Sequence, residues 1–290
     1  MVTIMRSYLL LLLMFGCAAD GVDSDQFKGN VLLWRGGRMF TVPVHKMRKE
    51  QPTSIGLPSV HTIADVDASR QSLVISAVPS DLQGCKLLLG RPVSGFHRLL
   101  TAPSAVPAVT VSHDDKLVAY SQFARNSDAY DIYVYDVPSN RSRLLASSAA
   151  SPTGSVSFRP GTTELTFEDA GGGISSIDWK TSQRWQLIAG KRPRWSHDGS
   201  KLAYRTDGAV YVYDPPNQKS LTVYRRSPWD GSFDGSLFWS SDDRYVAFNL
   251  NVGVDAPKRR CVVADAQTSR IAVSVTTPYL CGPFEPGSPP

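Results

Sequence analysis

Short apolar runs that alternate with polar positions, and are separated by turn-forming residues, dominate the chain from about residue 30 onward. Two such runs are Ile132–Asp136 (IYVYD) and Val210–Asp214 (VYVYD). Strict alternation over about four to eight residues is typical of β-strands. Polar clusters such as Pro138–Arg141 follow these runs and favour tight turns. The pattern therefore predicts many short antiparallel strands and no long helix.

The strand pattern recurs as a repeat. Val111–Tyr120 (VSHDDKLVAY), Trp195–Tyr204 (WSHDGSKLAY) and Trp239–Phe248 (WSSDDRYVAF) are clear copies, and Val66–Ile75 and Phe158–Phe167 are weaker ones. In chain order the five copies start at residues 66, 111, 158, 195 and 239, so successive starts are 45, 47, 37 and 44 residues apart. Each copy holds a strand end, a Ser/His/Asp/Gly turn, a short strand, an alternating strand that ends in Asp, and a fourth strand. Four short strands per repeat of this length are typical of one propeller blade.

The N-terminal region completes the count of repeats. Val31–Val44 aligns with Leu202–Asp214, but its repeat lacks a first strand. A strand-like run at Pro278–Cys281 is expected to supply that strand. The sequence therefore predicts an all-β, six-bladed β-propeller of four-stranded antiparallel blades, closed by a C-terminal strand that joins the N-terminal blade. The predicted repeats are 30–57, 60–102, 106–148, 153–190, 191–227 and 235–276, with the closing strand at 278–281.

The repeat also resembles that of a known family. An aromatic residue, then Ser-His-Asp-Gly, a short apolar strand and a run such as IYVYD are similar to the TolB-type, WD-repeat-like propellers of the bacterial envelope. His113 and His197 stand where that family usually has Pro. The resemblance covers about residues 30–282 and implies the fold, but little about function, because this repeat serves receptors, scaffolds and enzyme-attached domains. TolB itself carries an additional α/β domain for which we see no room, so we do not expect this chain to be TolB.

The first 16 residues are typical of a secretory signal. Arg6 precedes the apolar run Tyr8–Phe15. This run is much shorter than the ~20 residues needed to cross a bilayer. Segment 1–16 is therefore predicted to be a signal peptide and 17–29 a linker.

The end of the signal resembles a bacterial lipobox. Met14-Phe15-Gly16-Cys17 implies cleavage before Cys17 and lipidation of that residue. Ala18 after the cysteine implies transfer to the outer membrane, with the protein facing the periplasm. The membrane would then be contacted through the N-terminal lipid only. Ordinary cleavage near Ala19, which would release a soluble periplasmic protein, is the alternative.

Composition and charge narrow the possible functions. Only four of the 26 acidic residues are Glu, and the chain has 22 Gly and 20 Pro, which suits turns rather than helices. The net charge is +5. Its basic clusters, Lys46–Lys49 and Lys258–Arg260, are interpreted as solvated loops, and we expect no nucleic-acid partner.

The sequence offers little catalytic chemistry. It has no Gly-x-Ser-x-Gly motif and no Cys or His at metal-ligand spacing. We therefore predict no catalytic residue, no metal and no cofactor. The alternative is a propeller enzyme of lactonase, lyase or cyclase type, with acid–base groups from several inner strands in the central channel. Most Asp residues instead belong to turns, as Asp114, Asp198 and Asp242 do.

Three cysteines follow Cys17, which leaves an odd number in an oxidising compartment. Cys85 and Cys261 are interpreted as buried free thiols. A Cys261–Cys281 bond that staples the ring closure is the alternative.

Loop lengths give the best indication of a binding site. In a propeller, the loops between the second and third strands and the links between blades share one face, here called the long-loop face. The other turns form the short-loop face. Long-loop segments are Ala77–Gly84, Ser121–Tyr130, Arg225–Ser236 and Asn249–Arg260.

Loops on a rigid scaffold often carry function, and aromatic and Arg residues often anchor interfaces. The predicted function is therefore that of a non-catalytic, lipid-anchored propeller that binds a protein or envelope polymer through the long-loop face. The predicted partner-binding residues are Phe123, Arg125, Tyr130, Arg226, Trp229, Asp230, Lys258 and Arg259.

Overall fold

The protein is an all-β, six-bladed propeller, as predicted. The structure, a computed structural model, describes residues 30–35, 37–43, 53–55, 57, 60–69, 72–79, 84–91, 94–104, 106–123, 128–150, 155–252, 258–277 and 280–284. In these ranges the strands form six four-stranded antiparallel sheets. The predicted signal peptide, the lipidation site Cys17 and the linker lie outside the described residues.

Each blade is a four-stranded meander, and the first strands of neighbouring blades contact one another in a closed cycle around the central channel. Blade 1 consists of β24 (Leu280–Phe284), β1 (Asn30–Arg35), β2 (Arg38–Pro43) and β3 (Thr53–Ile55). Blade 2 consists of β4 (Thr62–Ala68), β5 (Leu73–Val78), β6 (Cys85–Arg91) and β7 (Gly95–Ala102). Blade 3 consists of β8 (Ala108–Val111), β9 (Leu117–Phe123), β10 (Tyr130–Asp136) and β11 (Arg141–Ala150). Blade 4 consists of β12 (Val156–Phe158), β13 (Glu164–Glu168), β14 (Ile174–Asp178) and β15 (Arg184–Ile188). Blade 5 consists of β16 (Lys191–Trp195), β17 (Leu202–Arg205), β18 (Ala209–Asp214) and β19 (Lys219–Arg225). Blade 6 consists of β20 (Phe233–Trp239), β21 (Tyr245–Val252), β22 (Lys258–Asp265) and β23 (Ile271–Thr277).

The C-terminal strand closes the ring. β24 pairs antiparallel with β1, with Cys281 opposite Leu33, and it also contacts β20 of blade 6 and β4 of blade 2. Cys281 forms a disulfide with Cys261 in β22, with the two Cα atoms 5.6 Å apart. The interpretation of Cys261 as a free thiol was therefore wrong, because the closing strand brings Cys281 to it. Cys85 is free and buried.

A side-chain amide reinforces this closure. Asn249 in β21 is buried, and its Nδ2 donates to the carbonyl of Cys281 while its Oδ1 accepts from the N–H of Cys281, each at 2.8 Å. The amide thus pairs with the inner edge of β24, which is the innermost strand of blade 1 and has no further strand on that side. Blade 6 thus holds blade 1 through a covalent bond and two hydrogen bonds at one residue.

The many Asp residues are explained by the turns that they organise. At the end of β14, the Asp178 carboxylate accepts hydrogen bonds from Thr163 Oγ1 and from the N–H groups of Lys180 and Thr181. The bond from Thr163, followed by that from Thr181, lowers the pKa of Asp178 to about 2. Asp265 caps the corresponding turn after β22 in the same way. A longer Glu side chain would not fit this local geometry.

We predict that the closing disulfide contributes strongly to stability. Replacing Cys261 and Cys281 together with Ala removes a link across a separation of 20 residues. By the chain-entropy relation this loss should lower the free energy of unfolding by about 3 kcal/mol. Urea unfolding of both proteins measures the difference.

The control for this experiment is the reductant dithiothreitol. It should destabilise the wild type to the level of the double variant and leave the double variant unchanged. Equal stability of the wild type and the double variant would show that β24 is held without the disulfide.

Candidate functional site

The predicted partner-binding residues fall into two groups on the long-loop face. Phe123 ends β9 and Tyr130 begins β10, both in blade 3, and their rings meet edge to face with centroids 5.6 Å apart. Phe123 is 46% exposed. Arg125, between them, lies outside the described residues.

The second group lies at blades 5 and 6. Arg226, Trp229 and Asp230 lie in the link between β19 and β20, and Lys258 and Arg259 begin β22. Blades 3 and 6 are opposite each other in a ring of six. The structure therefore brings the second group together but does not bring it to the first.

Trp229 is the most exposed large apolar side chain among the described residues, at 93%. The turn that presents it is braced through its neighbour Asp230. The Asp230 carboxylate accepts hydrogen bonds from Tyr224 Oη at 2.8 Å, Ser227 N at 2.8 Å and Arg260 Nη1 at 2.6 Å. The indole thus projects into solvent from a fixed turn.

These contacts give Asp230 a structural role. Its side chain is only 8% exposed. Burial alone would raise the pKa of Asp230, but the hydrogen bonds from Ser227 and Tyr224 and the charge of Arg260 outweigh it and lower that pKa. Burial and the bond to Asp230 raise the pKa of Tyr224. At neutral pH the carboxylate is therefore charged, the phenol is protonated, and the brace is intact.

The basic cluster Lys258–Arg260 is part of a strand, so its interpretation as a solvated loop was wrong. β22 pairs with β21 up to Val252, which lies opposite Lys258. The Arg259 Nε atom donates to Asp234 Oδ2 at 2.8 Å. The cluster is thus ordered and partly neutralised.

A cavity lies at the other end of the channel, on the short-loop face. The empty space in this cavity and the open solvent at its mouth together amount to about 490 Å³. The second-to-last residue of every innermost strand lines it. In the order of blades 1 to 6, these residues are Pro283, Asp67, Thr110, Ser157, Arg194 and Phe238.

An ion pair crosses this ring of residues. Asp67 and Arg194 belong to the opposite blades 2 and 5, and Arg194 Nη1 lies 2.8 Å from Asp67 Oδ1. Asp67 Oδ2 also accepts hydrogen bonds from Thr110 Oγ1 at 2.6 Å and from Val111 N at 3.1 Å. Both charged side chains are buried. The pair therefore links blades 2, 3 and 5 across the channel.

A second buried carboxylate, that of Asp65, lies two residues before Asp67 in β4. Asp65 accepts hydrogen bonds from Val109 N at 3.0 Å in blade 3 and from Ser236 Oγ at 3.1 Å in blade 6. Burial raises the pKa of Asp65, against the opposing influence of Arg194. The inner surface of blade 2 thus holds two acidic groups that tie it to other blades.

The rim of the cavity is built from turns that contact the next blade. Asp243 in blade 6 accepts from His197 N at 2.7 Å and lies 2.8 Å from His197 Nδ1. At the equivalent place in blade 5, Gly199 has φ of +72°, and a Cβ there would lie 2.6 Å from the Pro160 carbonyl oxygen of blade 4. His197 is therefore a turn residue, as its recurrence in the repeat indicates, and also a contact between blades.

Sequence reasoning missed the pair of Asp67 and Arg194. The weak copy was aligned from Val66, whereas Ala68 is the last residue of its inner strand, equivalent to Trp195. A shift of two residues placed Asp67 in a turn. The available signal was the presence of charged residues in strands that are apolar elsewhere in the repeat.

Within the described ranges, no cluster of three or more His, Cys, Asp or Glu residues has an arrangement that could hold a metal ion. In the same part of the chain, no helix combines the length and apolar character required to cross a bilayer.

Comparisons with known proteins show the fold and no closer relationship. No protein-family model and no curated protein sequence matches the chain. Among solved structures, TolB from Acinetobacter baumannii is similar, with a TM-score of 0.67 and 13% identity over 90% of this chain. The chain spans 66% of the length of that protein.

Two further structures share the fold. A chain in a nidogen/laminin complex has a TM-score of 0.66 and 9% identity, covering 88% of this chain and 97% of its own. A putative TolB from Agrobacterium tumefaciens has a TM-score of 0.57 and 14% identity, covering 88% of this chain and 91% of its own. The fold implied by the TolB-type repeat is therefore confirmed.

We predict strong coupling between Asp67 and Arg194. Either Asp67→Asn or Arg194→Gln leaves a buried charge without its partner and should lower the free energy of unfolding by about 3 kcal/mol. The double variant removes both charges and should lose much less than the sum. Chemical denaturation of all four proteins gives the coupling energy. Additive losses would show that the two groups do not interact across the channel.

Proposed function

We propose that this protein is a non-catalytic binding propeller of the bacterial envelope. It is anchored through a lipid on Cys17 and binds a protein or envelope polymer through the long-loop face, with Trp229 as the central contact. The lipobox-like sequence and the TolB-type repeat support the location. The exposed, braced Trp229 supports the binding role.

The observation that carries the proposal is the combination of exposure and rigidity at one indole. A Trp that is 93% exposed leaves a large apolar area in water. The hydrogen bonds to Asp230 fix the turn before any partner arrives, so less conformational entropy is lost on binding. Trp and Arg are the residues most enriched at the centres of interfaces.

The surroundings of Trp229 fit an interface of mixed character. Arg226 donates to the Gly231 carbonyl at 3.3 Å, and Arg259 is held by Asp234, so both guanidinium groups are positioned near the link. Phe123 and Tyr130 offer a second aromatic contact in blade 3, which only a partner that spans the channel mouth could reach together with Trp229.

The structural comparisons agree with a binding role. One similar propeller belongs to a nidogen/laminin complex, which is an assembly of proteins. Two others are a TolB and a putative TolB. One propeller of this size is therefore found in a protein complex, which supports a protein as the partner of this chain.

We predict that Trp229→Ala weakens partner binding by about tenfold or more, as expected for a central interface Trp. The matched control is Trp185→Ala, since Trp185 is 39% exposed on β15, the outer strand of blade 4. A photoreactive amino acid at position 229 first identifies the partner in intact cells. Calorimetry then compares the affinities of the wild type and the two variants for that purified partner.

If the partner is a polymer, co-sedimentation with isolated envelope polysaccharide replaces calorimetry. Equal affinity of the Trp229→Ala and wild-type proteins would remove the long-loop face from the proposal. An equal loss in the Trp185→Ala control would indicate a general effect on folding.

We predict that the lipid on Cys17 holds the protein in the membrane fraction. Cys17→Ser prevents lipidation, so the variant should carry no lipid label. It should either appear in the soluble fraction, if it is cleaved elsewhere, or remain as an uncleaved precursor in the membrane fraction. Cell fractionation with metabolic labelling by a fatty-acid analogue measures both effects. Absence of label in the wild type, or retention of label by the Cys17→Ser protein, would refute the lipid anchor.

A further inference from the structure

The guanidinium group of Arg194 is buried in the channel but has unused donor capacity. Its side chain is 5% exposed and lines the cavity on the short-loop face. Nη1 lies 2.8 Å from Asp67 Oδ1, yet none of Nε, Nη1 and Nη2 makes an aligned hydrogen bond within the protein. Arg carries five N–H donors, and buried donors are normally bonded. Arg194 therefore has buried N–H donors without an aligned acceptor at the lining of this cavity.

The residues on either side of Arg194 in the ring complete a site with one polar and one apolar flank. Ser157 of blade 4 accepts a hydrogen bond from Trp195 N at 3.0 Å, so its hydroxyl hydrogen is available to donate. On the other side, the Phe238 ring centroid of blade 6 lies 5.8 Å from Arg194 Cζ. Pro283 follows in blade 1 and extends the apolar wall.

We propose that this cavity binds a carboxylate that carries an apolar group. Its oxygens accept hydrogen bonds from Arg194 and from the Ser157 hydroxyl, and its apolar part lies against Phe238 and Pro283. A guanidinium group matches the planar geometry of a carboxylate. Asp67 already supplies one negative charge to the ring, which favours a monoanion over a phosphate dianion.

Two sources supply this chemistry: a small organic acid, or the C-terminus of a peptide that enters the channel mouth. The site is on the face opposite Trp229 and does not depend on the proposed function. A failure at one face therefore leaves the proposal for the other intact.

The experiment uses the purified full-length protein and follows the indole N–H of Trp239 by NMR. This group lines the cavity and donates to the Arg194 carbonyl at 2.9 Å, so a ligand on Arg194 should shift its signal. The probes are benzoate, benzamide, inorganic phosphate, and a tripeptide ending in Phe with either a free or an amidated C-terminus. We expect saturable shifts with benzoate or the free-acid tripeptide, and none with their amides.

Variants connect the shift to the proposed contacts. Asp67→Asn/Arg194→Gln removes the ion pair without leaving a buried charge, and should weaken carboxylate binding by about tenfold or more. Arg194→Lys keeps the charge but loses the planar fork, and should weaken binding by a smaller factor. The control is Arg205→Gln, which changes a partly buried Arg at the long-loop end of the same blade and should bind as the wild type does.

Tighter binding of benzoate would assign the site to small acids, and tighter binding of the tripeptide would assign it to peptide C-termini. Equal binding of benzamide and benzoate, full binding by the double variant, or saturation by phosphate alone would overturn the proposal.

Discussion

Closure of the ring is the constraint on which the rest of the structure depends. Without β24, blade 1 would end in the unpaired edge of β1, and the flank of blade 6 would be uncovered. The structure meets this constraint at Cys281, which is bonded to Cys261 and clamped by the Asn249 amide. Every other feature, including the channel and its two faces, exists only because the six inner strands complete a cycle.

A closed ring places six equivalent positions opposite one another, and this symmetry creates chemistry that one repeat does not hold. Asp67 and Arg194 occupy the same place in blades 2 and 5, and they meet across the channel only because two blades lie between them in each direction. A buried pair of this kind adds little net stability over an apolar pair, but it fixes the arrangement strongly once formed. It also leaves the cavity with a cation, hydroxyl groups and an apolar wall.

The two faces of the disc separate two kinds of site. The long-loop face carries an exposed indole on a turn fixed by Asp230, which suits a broad surface contact. The short-loop face carries a narrow, largely buried ring centred on Arg194, which suits one small group. The repeat explains the difference, because its short turns are held by contacts between blades such as Asp243 with His197. The links on the other face are free of that constraint and vary in length.

The sequence by itself determined the class, the number of blades and the closing strand, because strand alternation and turn residues act locally and recur at a regular interval. It also placed Trp229 in a long link between blades, where the structure shows an exposed indole, while the role of Trp229 in binding stays a prediction. The Cys261–Cys281 bond, the Asn249 clamp and the pair of Asp67 and Arg194 were decided only by the tertiary structure. Each of these contacts joins residues from different blades, so it depends on the geometry of the closed ring. The contact of Asp67 also depends on the strand register, which the sequence alignment of its weak repeat displaced by two residues.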